Sequence, residues 1–436
     1  MKRFFEAKTI AVIGASRNKE KVGNIVFGNL IENPRLKIFP INPNADSILG
    51  HKAYGSVLDI PYNVEMAVIA IPAEFVPKAV GECGEKGIKN VVIISSGFSE
   101  TGNEQVNDET REAAEKYGIK IIGPNVLGII NPYKNMNASF FRDMPDKGNV
   151  AFISQSGAVG TAVLDKALKK KLGFSGFISL GNMMNQNFIH ALEYFAQDMY
   201  TEIILLYVES LGEGLGREFI DLCKEISKKK KIIAIKAGKS EKGKKAAETH
   251  TAALSSASEV YSGAFKQAGI IEVDSLEEMF RAAEIFSKYP KIGKRAGIIT
   301  NAGGLGVLAV DVCSESGLEI PEIPDEVLKE LDSFLPEGYS RNNPLDILGD
   351  ALAERYEKVM KILGRRELFD FFVVIVSPQE MTEPLETAKV LMSLGRPVFP
   401  CFIGGKSFEF SKKFLEEQGM IYFEDVGDLG VLGKIC

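Results

Sequence analysis

The sequence predicts an α/β protein with parallel sheets, arranged as three doubly wound units. Three observations point there. Short β-rich runs alternate with longer helical patterns along the whole chain, the pattern of parallel strands joined by helices. Each unit repeats one order: an apolar strand, a small-residue turn, then a helix. The chain has 436 residues, room for two to four domains at roughly 100–200 residues each.

The first unit, residues 1–130, has strands expected near 9–13, 36–41, 66–71, 90–95 and 119–122, with helices near 22–32, 73–87 and 104–117. Residues 131–147 are rich in Asn, Pro and Asp and read as a linker. The second unit, 146–290, opens at Gly148-Asn149-Val150-Ala151-Phe152-Ile153. It continues with strands near 175–179, 202–208 and 231–236 and closes with a helix near 275–288. The basic stretch from Lys288 to Arg295 separates it from the third unit, 294–436. That unit starts on Ala296-Gly297-Ile298-Ile299-Thr300 and includes strands at 371–376 and 398–402.

Composition excludes several classes. A hydrophobic share of 45% with 25% charged residues is that of a globular chain. No apolar run reaches the roughly 18 residues that a membrane helix needs. Met1-Lys2-Arg3-Phe4-Phe5-Glu6 leads directly into the first strand, leaving no space for a signal peptide. Five scattered cysteines without a C-x-x-C pair read as reduced thiols of a cytoplasmic protein. A net charge of −6 argues against a general nucleic-acid binder.

The first strand ends in Gly14-Ala15-Ser16, and Val22-Gly23-Asn24 opens the next helix. Small residues there let backbone N–H groups approach a phosphate at a helix N-terminus. A dinucleotide fingerprint would place Gly at positions 16 and 19, where Ser16 and Lys19 stand, and an acid after the second strand, which reads Phe39-Pro40-Ile41-Asn42-Pro43. A nucleotide with an additional phosphate, such as CoA, suits the turn better than NAD; a plain turn in a doubly wound sheet is the alternative. Ile71-Pro72, the Ser95 to Gly102 turn and Gly123-Pro124-Asn125 fall at other strand ends, where ligands of open α/β sheets bind.

Of three histidines, His51 lies in a turn beside Gly50, and His190 sits in an amphipathic stretch and reads as structural. His250 lies on a polar, basic, small-residue segment after the strand 231–236. Ser256 and Glu259 are spaced as a capping box for the following helix, whose apolar face is expected at Val260, Ala264, Phe265 and Ala268. A loop imidazole is free to act as nucleophile or acid–base group. An ordinary exposed loop histidine is equally compatible with the spacing. Lys239, Lys242, Lys244 and Lys245 are placed to offset phosphate charge. No second His or Cys stands at metal-ligand spacing, and Ser154-Gln155-Ser156-Gly157 lacks the leading Gly of a serine-hydrolase elbow. Ser156 and Gly157 start a helix and form a candidate phosphate site. Glu209, ending a buried strand, is placed to orient an imidazole, or is simply a cap or surface charge.

In order along about 340 residues stand Val12-Ile13-Gly14-Ala15-Ser16 with Lys21-Val22-Gly23, Ile41-Asn42-Pro43, Gly97-Phe98-Ser99-Glu100 and Gly123-Pro124-Asn125-Val126-Leu127-Gly128. They continue with Ser154-Gln155-Ser156-Gly157, Ser179-Leu180-Gly181-Asn182, Leu206-Tyr207-Val208-Glu209-Ser210, Lys236-Ala237-Gly238 and His250-Thr251. Phe265-Lys266-Gln267-Ala268-Gly269, Thr300 to Gly306 and Asn343-Pro344-Leu345-Asp346-Ile347 complete the series. This series resembles the α subunit of the NDP-forming acyl-CoA synthetases of the ADP-forming acetyl-CoA synthetase type, relatives of succinyl-CoA synthetase.

The resemblance implies a Rossmann-like CoA-binding domain followed by two flavodoxin-like doubly wound domains. It implies conversion of acyl-CoA, ADP and phosphate to a small carboxylic acid, ATP and CoA, through an acyl phosphate and a phosphohistidine. His250 matches that histidine, Glu209 its orienting carboxylate, and Ser156-Gly157 the phosphate-holding helix start. Gly14, Ala15, Ser16, Lys21, Val22, Gly23, Asn42, Pro43, Ile71, Pro72, Ser95, Gly97 and Asn125 are the expected CoA contacts. Nothing in the chain resembles an ATP-grasp domain, so a separate ATP-grasp β subunit carrying Mg-ADP or Mg-ATP, and a hetero-oligomer, are implied. The sequence departs from the family in reading Met183-Met184-Asn185-Gln186-Asn187 after Ser179 to Asn182, where the family often has Lys and two Asp residues. A non-catalytic acyl-CoA sensor is the competing reading, and retention of both His250 and Glu209 favours the enzyme. A succinyl-CoA synthetase α chain fits poorly, because a whole third unit follows residue 294.

Overall fold

A computed structural model describes residues 1–212, 214–243, 258–394 and 396–436. These fall into two compact units, Met1–Met279 and Phe280–Cys436.

The first unit begins with a short helix, α1 (Lys2–Phe5), and a five-stranded sheet. Its strands are β1 (Thr9–Ile13), β2 (Lys37–Ile41), β5 (Met66–Ile69), β6 (Asn90–Ile93) and β7 (Lys120–Ile122), in the order β2-β1-β5-β6-β7 and all parallel. A small hairpin, β3 (Ser47–Ile48) with β4 (His51–Lys52), stands apart. Helices α2 (Val22–Ile31), α3 (Val76–Glu85) and α4 (Glu104–Tyr117) make the crossovers. β1, β5 and β6 are buried along nearly their whole length, as strands covered on both faces are. The order reverses between β1 and β5, the place where open α/β sheets hold ligands.

The second sheet has seven strands: β8 (Gly128–Asn131), β9 (Met136–Ser139), β10 (Lys147–Ser154), β11 (Phe174–Ser179), β12 (Ile203–Val208), β13 (Lys231–Lys236) and β14 (Ile271–Glu272). They run β14-β13-β12-β10-β11-β8-β9. β10 to β14 are parallel, and β8 and β9 are added antiparallel at one edge. The connecting helices are α5 (Gly157–Lys170), α6 (Phe188–Gln197), α7 (Gly216–Ser227) and α8 (Ser258–Ala268), followed by α9 (Leu276–Lys288).

One expectation is corrected at this edge. Part of the segment expected to be a linker, residues 131–147, is built into the second sheet as the end of β8, all of β9 and the start of β10, and β9 is wholly buried. Asparagines on α2 and just after it supply fixing contacts. Asn29 Nδ2 donates to Ser139 O at 2.9 Å and Phe141 O at 2.8 Å; Asn33 Nδ2 donates to Lys134 O at 2.9 Å and Asn135 O at 3.0 Å. One buried cluster accordingly runs from Phe4, Ile10 and Phe27 to Ala138, Ile153 and Ile204, so the two sheets share a core.

The residues that depart from the family pattern serve the architecture. Asn185 pairs with edge strand β7 through its carboxamide, accepting from Ile121 N at 2.7 Å and donating to Ile119 O at 3.0 Å. Asn187 caps α6, accepting from Ile189 N at 3.0 Å, with His190 completing a capping box. His190 is therefore structural in its contacts. Burial holds its imidazole below the ordinary histidine range, against the pull of Glu193. His51 lies in β4 with its ring edge-on to Phe27 at 5.5 Å.

In the second unit, β15 (Ala296–Thr300), β16 (Leu345–Asp346), β17 (Phe371–Val376) and β18 (Val398–Phe402) form a parallel sheet ordered β16-β15-β17-β18. Helices α10 (Gly303–Glu315), α11 (Asp325–Asp332), α12 (Ala353–Gly364), α13 (Pro384–Met392), α14 (Glu409–Glu417) and α15 (Gly430–Ile435) accompany it. Arg295 pairs with Asp370 beside the first residues of β15 and β17.

Candidate active site

A crevice of about 1330 Å³ lies in the first unit at the carboxyl ends of both sheets. It exceeds the roughly 300–1,000 Å³ of common small-molecule pockets and suits a long ligand. One wall comes from the turn between β1 and α2, with Gly14, Ser16, Lys21, Val22 and Gly23, and from Asn42 after β2. The wall continues through Ala70, Ile71 and Pro72 after β5, Ser95 and Ser96 after β6, and Asn125 after β7. The opposite wall is Gln155, Ser156 and Gly157 and the exposed face of α5, at Ala158, Thr161, Ala162 and Asp165.

The turn is tight enough that side chains are excluded. Gly14 has φ +92°, and a Cβ there would stand 2.3 Å from Ala70 O. A Cβ on Gly23 would stand 1.9 Å from Gly14 O. Glycine at both places lets the β1 turn and the first turn of α2 meet backbone to backbone. Asn42 Nδ2 ties the second strand to this turn by donating to Ala15 O at 2.8 Å, and Asn24 Nδ2 donates to Ser16 O at 2.7 Å. Ser95 Oγ braces the next strand end, donating to Ile71 O at 2.5 Å. Asn125 adopts φ 63°, a left-handed conformation that asparagine tolerates better than most residues.

On the opposite wall, Ser156 caps α5 by accepting from Val159 N at 3.3 Å. Gly157 and Ala158 of the first turn of this 14-residue helix line the crevice, and a helix N-terminus so placed suits an anion. Behind the loop, Gln155 Oε1 accepts from Glu209 N at 2.7 Å and Ser210 N at 2.9 Å. Glu209 follows the last residue of β12 and is 6% exposed. Burial raises the Tyr207 phenol, and the neighbouring Glu209 carboxylate raises it further. Lys236, 2% exposed at the end of β13, donates to Glu209 O at 2.9 Å and lies over the Tyr261 ring at 4.6 Å.

Of the residues singled out in the sequence, Gly14, Ser16, Lys21, Val22, Gly23, Asn42, Ile71, Pro72, Ser95, Asn125, Ser156 and Gly157 line this crevice together. Ala15, Pro43, Gly97 and Glu209 do not line it. Ala15 is buried beneath the turn, and Gly97 belongs to a loop whose N–H donates to Glu100 Oε1 at 2.7 Å. His250, Lys244, Lys245 and the Ser256 cap lie outside the described residues. Lys239 is paired with Glu272 at 2.7 Å and Asp274 at 2.6 Å, so it is committed to acids rather than held for a phosphate. Val260 is 63% exposed. The buried face of α8 is Tyr261, Phe265 and Ala268, because those three positions share one side of a 3.6-residue helix. No cluster of metal-ligating side chains occurs among the described residues.

Several site features were not singled out. Phe140 and Phe141 line the crevice from the segment expected to be a linker. The α5 face repeats at positions 158, 162 and 165, a helical spacing that was visible in the sequence after Ser156. Glu100 accepts from Gly97 N, from Phe98 N at 3.2 Å and from Asn182 Nδ2 at 2.6 Å. It thereby joins a loop of the first sheet to the Ser179–Asn182 turn of the second.

Comparison with known proteins places these features. The profile of a CoA binding domain matches residues 8–132, that of a succinyl-CoA ligase like flavodoxin domain residues 147–286, and that of a Ligase-CoA domain residues 296–395. An acetate–CoA ligase (ADP-forming) II subunit alpha of Pyrococcus furiosus is 41% identical over 98% of this chain and 95% of its own. The acetate–CoA ligase (ADP-forming) I of Archaeoglobus fulgidus is 42% identical over the whole chain, which spans 63% of that relative's length. Among solved structures, a dinucleotide-forming acetyl-coenzyme A synthetase of Candidatus Korarchaeum cryptofilum, in complex with phosphate and ADP, superposes with a TM-score of 0.92. It is 33% identical and covers 100% of this chain and 95% of its own.

Proposed function

Because the chain belongs to the NDP-forming acyl-CoA synthetases of the succinyl-CoA ligase superfamily, we propose that it is the CoA-binding, histidine-phosphorylated subunit of an ADP-forming acyl-CoA synthetase. Acyl-CoA, ADP and phosphate become a free acid, ATP and CoA, reversibly. The observation that carries this reading is the single crevice joining the Gly14–Gly23 turn to the N-terminus of α5. A ligand with phosphates at one end and a reactive group at the other spans it, and the thioester end meets the site suited to inorganic phosphate.

The chain's own groups then have distinct tasks. Backbone N–H groups of the β1–α2 turn bind CoA phosphate without a side chain intervening. The α5 N-terminus and Ser156 hold inorganic phosphate beside the thioester. A phosphate oxygen attacks the acyl carbon, the carbon–sulfur bond breaks, and the thiolate leaves as CoA. The resulting acyl phosphate gives its phosphoryl group to a ring nitrogen of His250, and the carboxylate leaves. Glu209 fixes the imidazole tautomer by accepting a hydrogen bond from the other ring nitrogen. The phosphoryl group then passes to ADP on an ATP-grasp β subunit, which carries the Mg-nucleotide, in a cytoplasmic hetero-oligomer. The domain division 1–130, 146–290 and 294–436 belongs to the same proposal. The ligase names of the relatives favour this catalytic reading over an acyl-CoA sensor.

The test is direct. The chain is mixed with its partner and Mg-ATP, and acid-labile phosphate is mapped by mass spectrometry. The label is expected on His250 and absent from His250→Asn, which also loses acyl-CoA-dependent ATP formation. Full turnover by His250→Asn, or stable phosphate on another residue, overturns the reading.

A further inference from the structure

The chain beyond β12 is held by side chains rather than by strand pairing. The ladder with β10 ends at Ser154 and Tyr207, and that with β13 at Val208 and Lys236. The backbone groups of Glu209, Ser210 and Leu211 are buried past that point and need other partners. Side chains from three separate elements supply them. Gln155 Oε1 accepts from both Glu209 N and Ser210 N. Lys236 Nζ donates to Glu209 O. Tyr261 Oη accepts from Leu211 N at 3.2 Å.

Gln155 differs from the other two, because it also lines the crevice. It directly precedes Ser156, the α5 cap, and its own amide donates to Tyr207 O at 3.2 Å. A ligand that settles against Ser156 and Gly157 is therefore one carboxamide away from the backbone of Glu209. Because one oxygen serves two successive amides, a shift of Gln155 moves both or breaks both.

We infer that Gln155 is a positioning residue that couples occupancy of the crevice to the placement of Glu209. This rests on the reading of the crevice as the CoA and phosphate site and of Glu209 as the orienting carboxylate. Filling the crevice immobilises the Ser154–Gly157 loop, and the carboxamide passes that order to Glu209 and Ser210.

The test compares Gln155→Met, which keeps length but removes the acceptor, with Gln155→Glu, which keeps an acceptor. Amide hydrogen exchange of Glu209 and Ser210 is followed in the full chain, with and without saturating CoA and inorganic phosphate. Ligand should slow exchange there in the wild type and in Gln155→Glu but not in ligand-bound Gln155→Met. Tyr261→Phe, which touches Leu211 and not the crevice, should keep the ligand-dependent protection. With the partner chain present, Gln155→Met should lower kcat about tenfold for the lost acceptor, and Gln155→Glu should recover most of that loss. Protection that persists in Gln155→Met overturns the inference, as does wild-type exchange indifferent to ligand. If Gln155→Met does not fold, loss of protection in a CoA-binding Gln155→Glu protein overturns it instead. Wild-type protection without a phosphohistidine would remove the ligase reading and leave the coupling standing. Normal phosphohistidine with protection intact in Gln155→Met would remove only the coupling.

Discussion

Replacing Gly14 with alanine tests the turn on which CoA binding is proposed to depend. Two separate penalties apply. Gly14 has φ +92°, and a side chain held in left-handed backbone costs about 1–2 kcal/mol. The new Cβ would also lie 2.3 Å from Ala70 O and 2.8 Å from Ala70 C. Those are backbone atoms of a buried strand end, so the overlap is relieved only by moving the turn or β5, at about 1–3 kcal/mol. The sum is about 2–5 kcal/mol of lost stability. Moving the turn also withdraws N–H groups from a phosphate; one charge-assisted hydrogen bond is worth about 1.5–3 kcal/mol, or about a tenfold to hundredfold loss of CoA affinity. Gly81 is the control. It lies inside α3, and a Cβ there meets nothing within 4 Å, so Gly81→Ala gains up to about 1 kcal/mol from helix propensity. Thermal unfolding and CoA calorimetry on both variants read the difference. A Gly14→Ala protein with wild-type melting temperature and CoA affinity would refute the close-approach explanation of this turn.

Three further outcomes follow from the contacts. Gly23→Ala, whose Cβ would strike Gly14 O, displaces the same peptide as Gly14→Ala; the two losses of CoA affinity should be clearly less than additive in a double-mutant cycle. Glu100→Ala removes the acceptor shared by Gly97, Phe98 and Asn182 and should destabilise the first unit by about 1.5–3 kcal/mol, read by urea unfolding. Burial pushes the thiols of Cys83 and Cys223 up to about 12 and that of Cys313 up to about 11, and raises Cys401 as well. A raised thiol stays protonated and unreactive well above neutral pH, so iodoacetamide at pH 8 should label Cys436 alone in the folded chain, with the others following only on unfolding.

What could be read from the sequence was local. Thr9–Ile13 followed by Gly14-Ala15-Ser16 specifies a strand and its turn within eight residues, and the crevice wall that grew from it needed no knowledge of distant partners. Glu209 was legible for the same reason, as a carboxylate ending an apolar run. The β8–β9 edge was not. Its Asn- and Pro-rich composition is that of turns, while the ladder that joins it to the sheet runs from β8 to Phe177 and Ile178 of β11, and the side chains that brace it, Asn29 and Asn33, lie about a hundred positions away in sequence. Phe140 and Phe141 were missed with it. Gln155 carries no chemical signal of its own; its importance lies in two backbone amides more than fifty residues further on. Val260 shows the opposite failure, an apolar residue assigned to a buried helix face from which its angular position turns it.

The two crevice walls are fixed to each other by backbone as well as by side chains. Asn182 N donates to Pro124 O at 3.0 Å, and Met184 N donates to Gly123 O at 2.9 Å. Glu100 closes the same junction onto Asn182, and the shared core lies beneath. Sliding one sheet against the other would break these bonds together and expose apolar surface at about 25 cal/mol per Å². Adaptation of the crevice to different ligands is therefore confined to side chains on its walls and to the segment that carries Phe140 and Phe141. That segment is held by Phe140 N donating to Leu127 O at 3.2 Å, by Phe141 N donating to Ser139 Oγ at 3.2 Å, and by hydrogen bonds from Asn29 and Asn137 to Phe141 O. Rotating those two rings leaves these backbone bonds in place, whereas moving the Gly14–Gly23 turn or the Ser156 cap would disrupt the backbone contacts on which the proposed phosphate binding rests. The division lets the turn and helix start proposed to bind phosphate stay constant while the apolar wall at Phe140 and Phe141 varies.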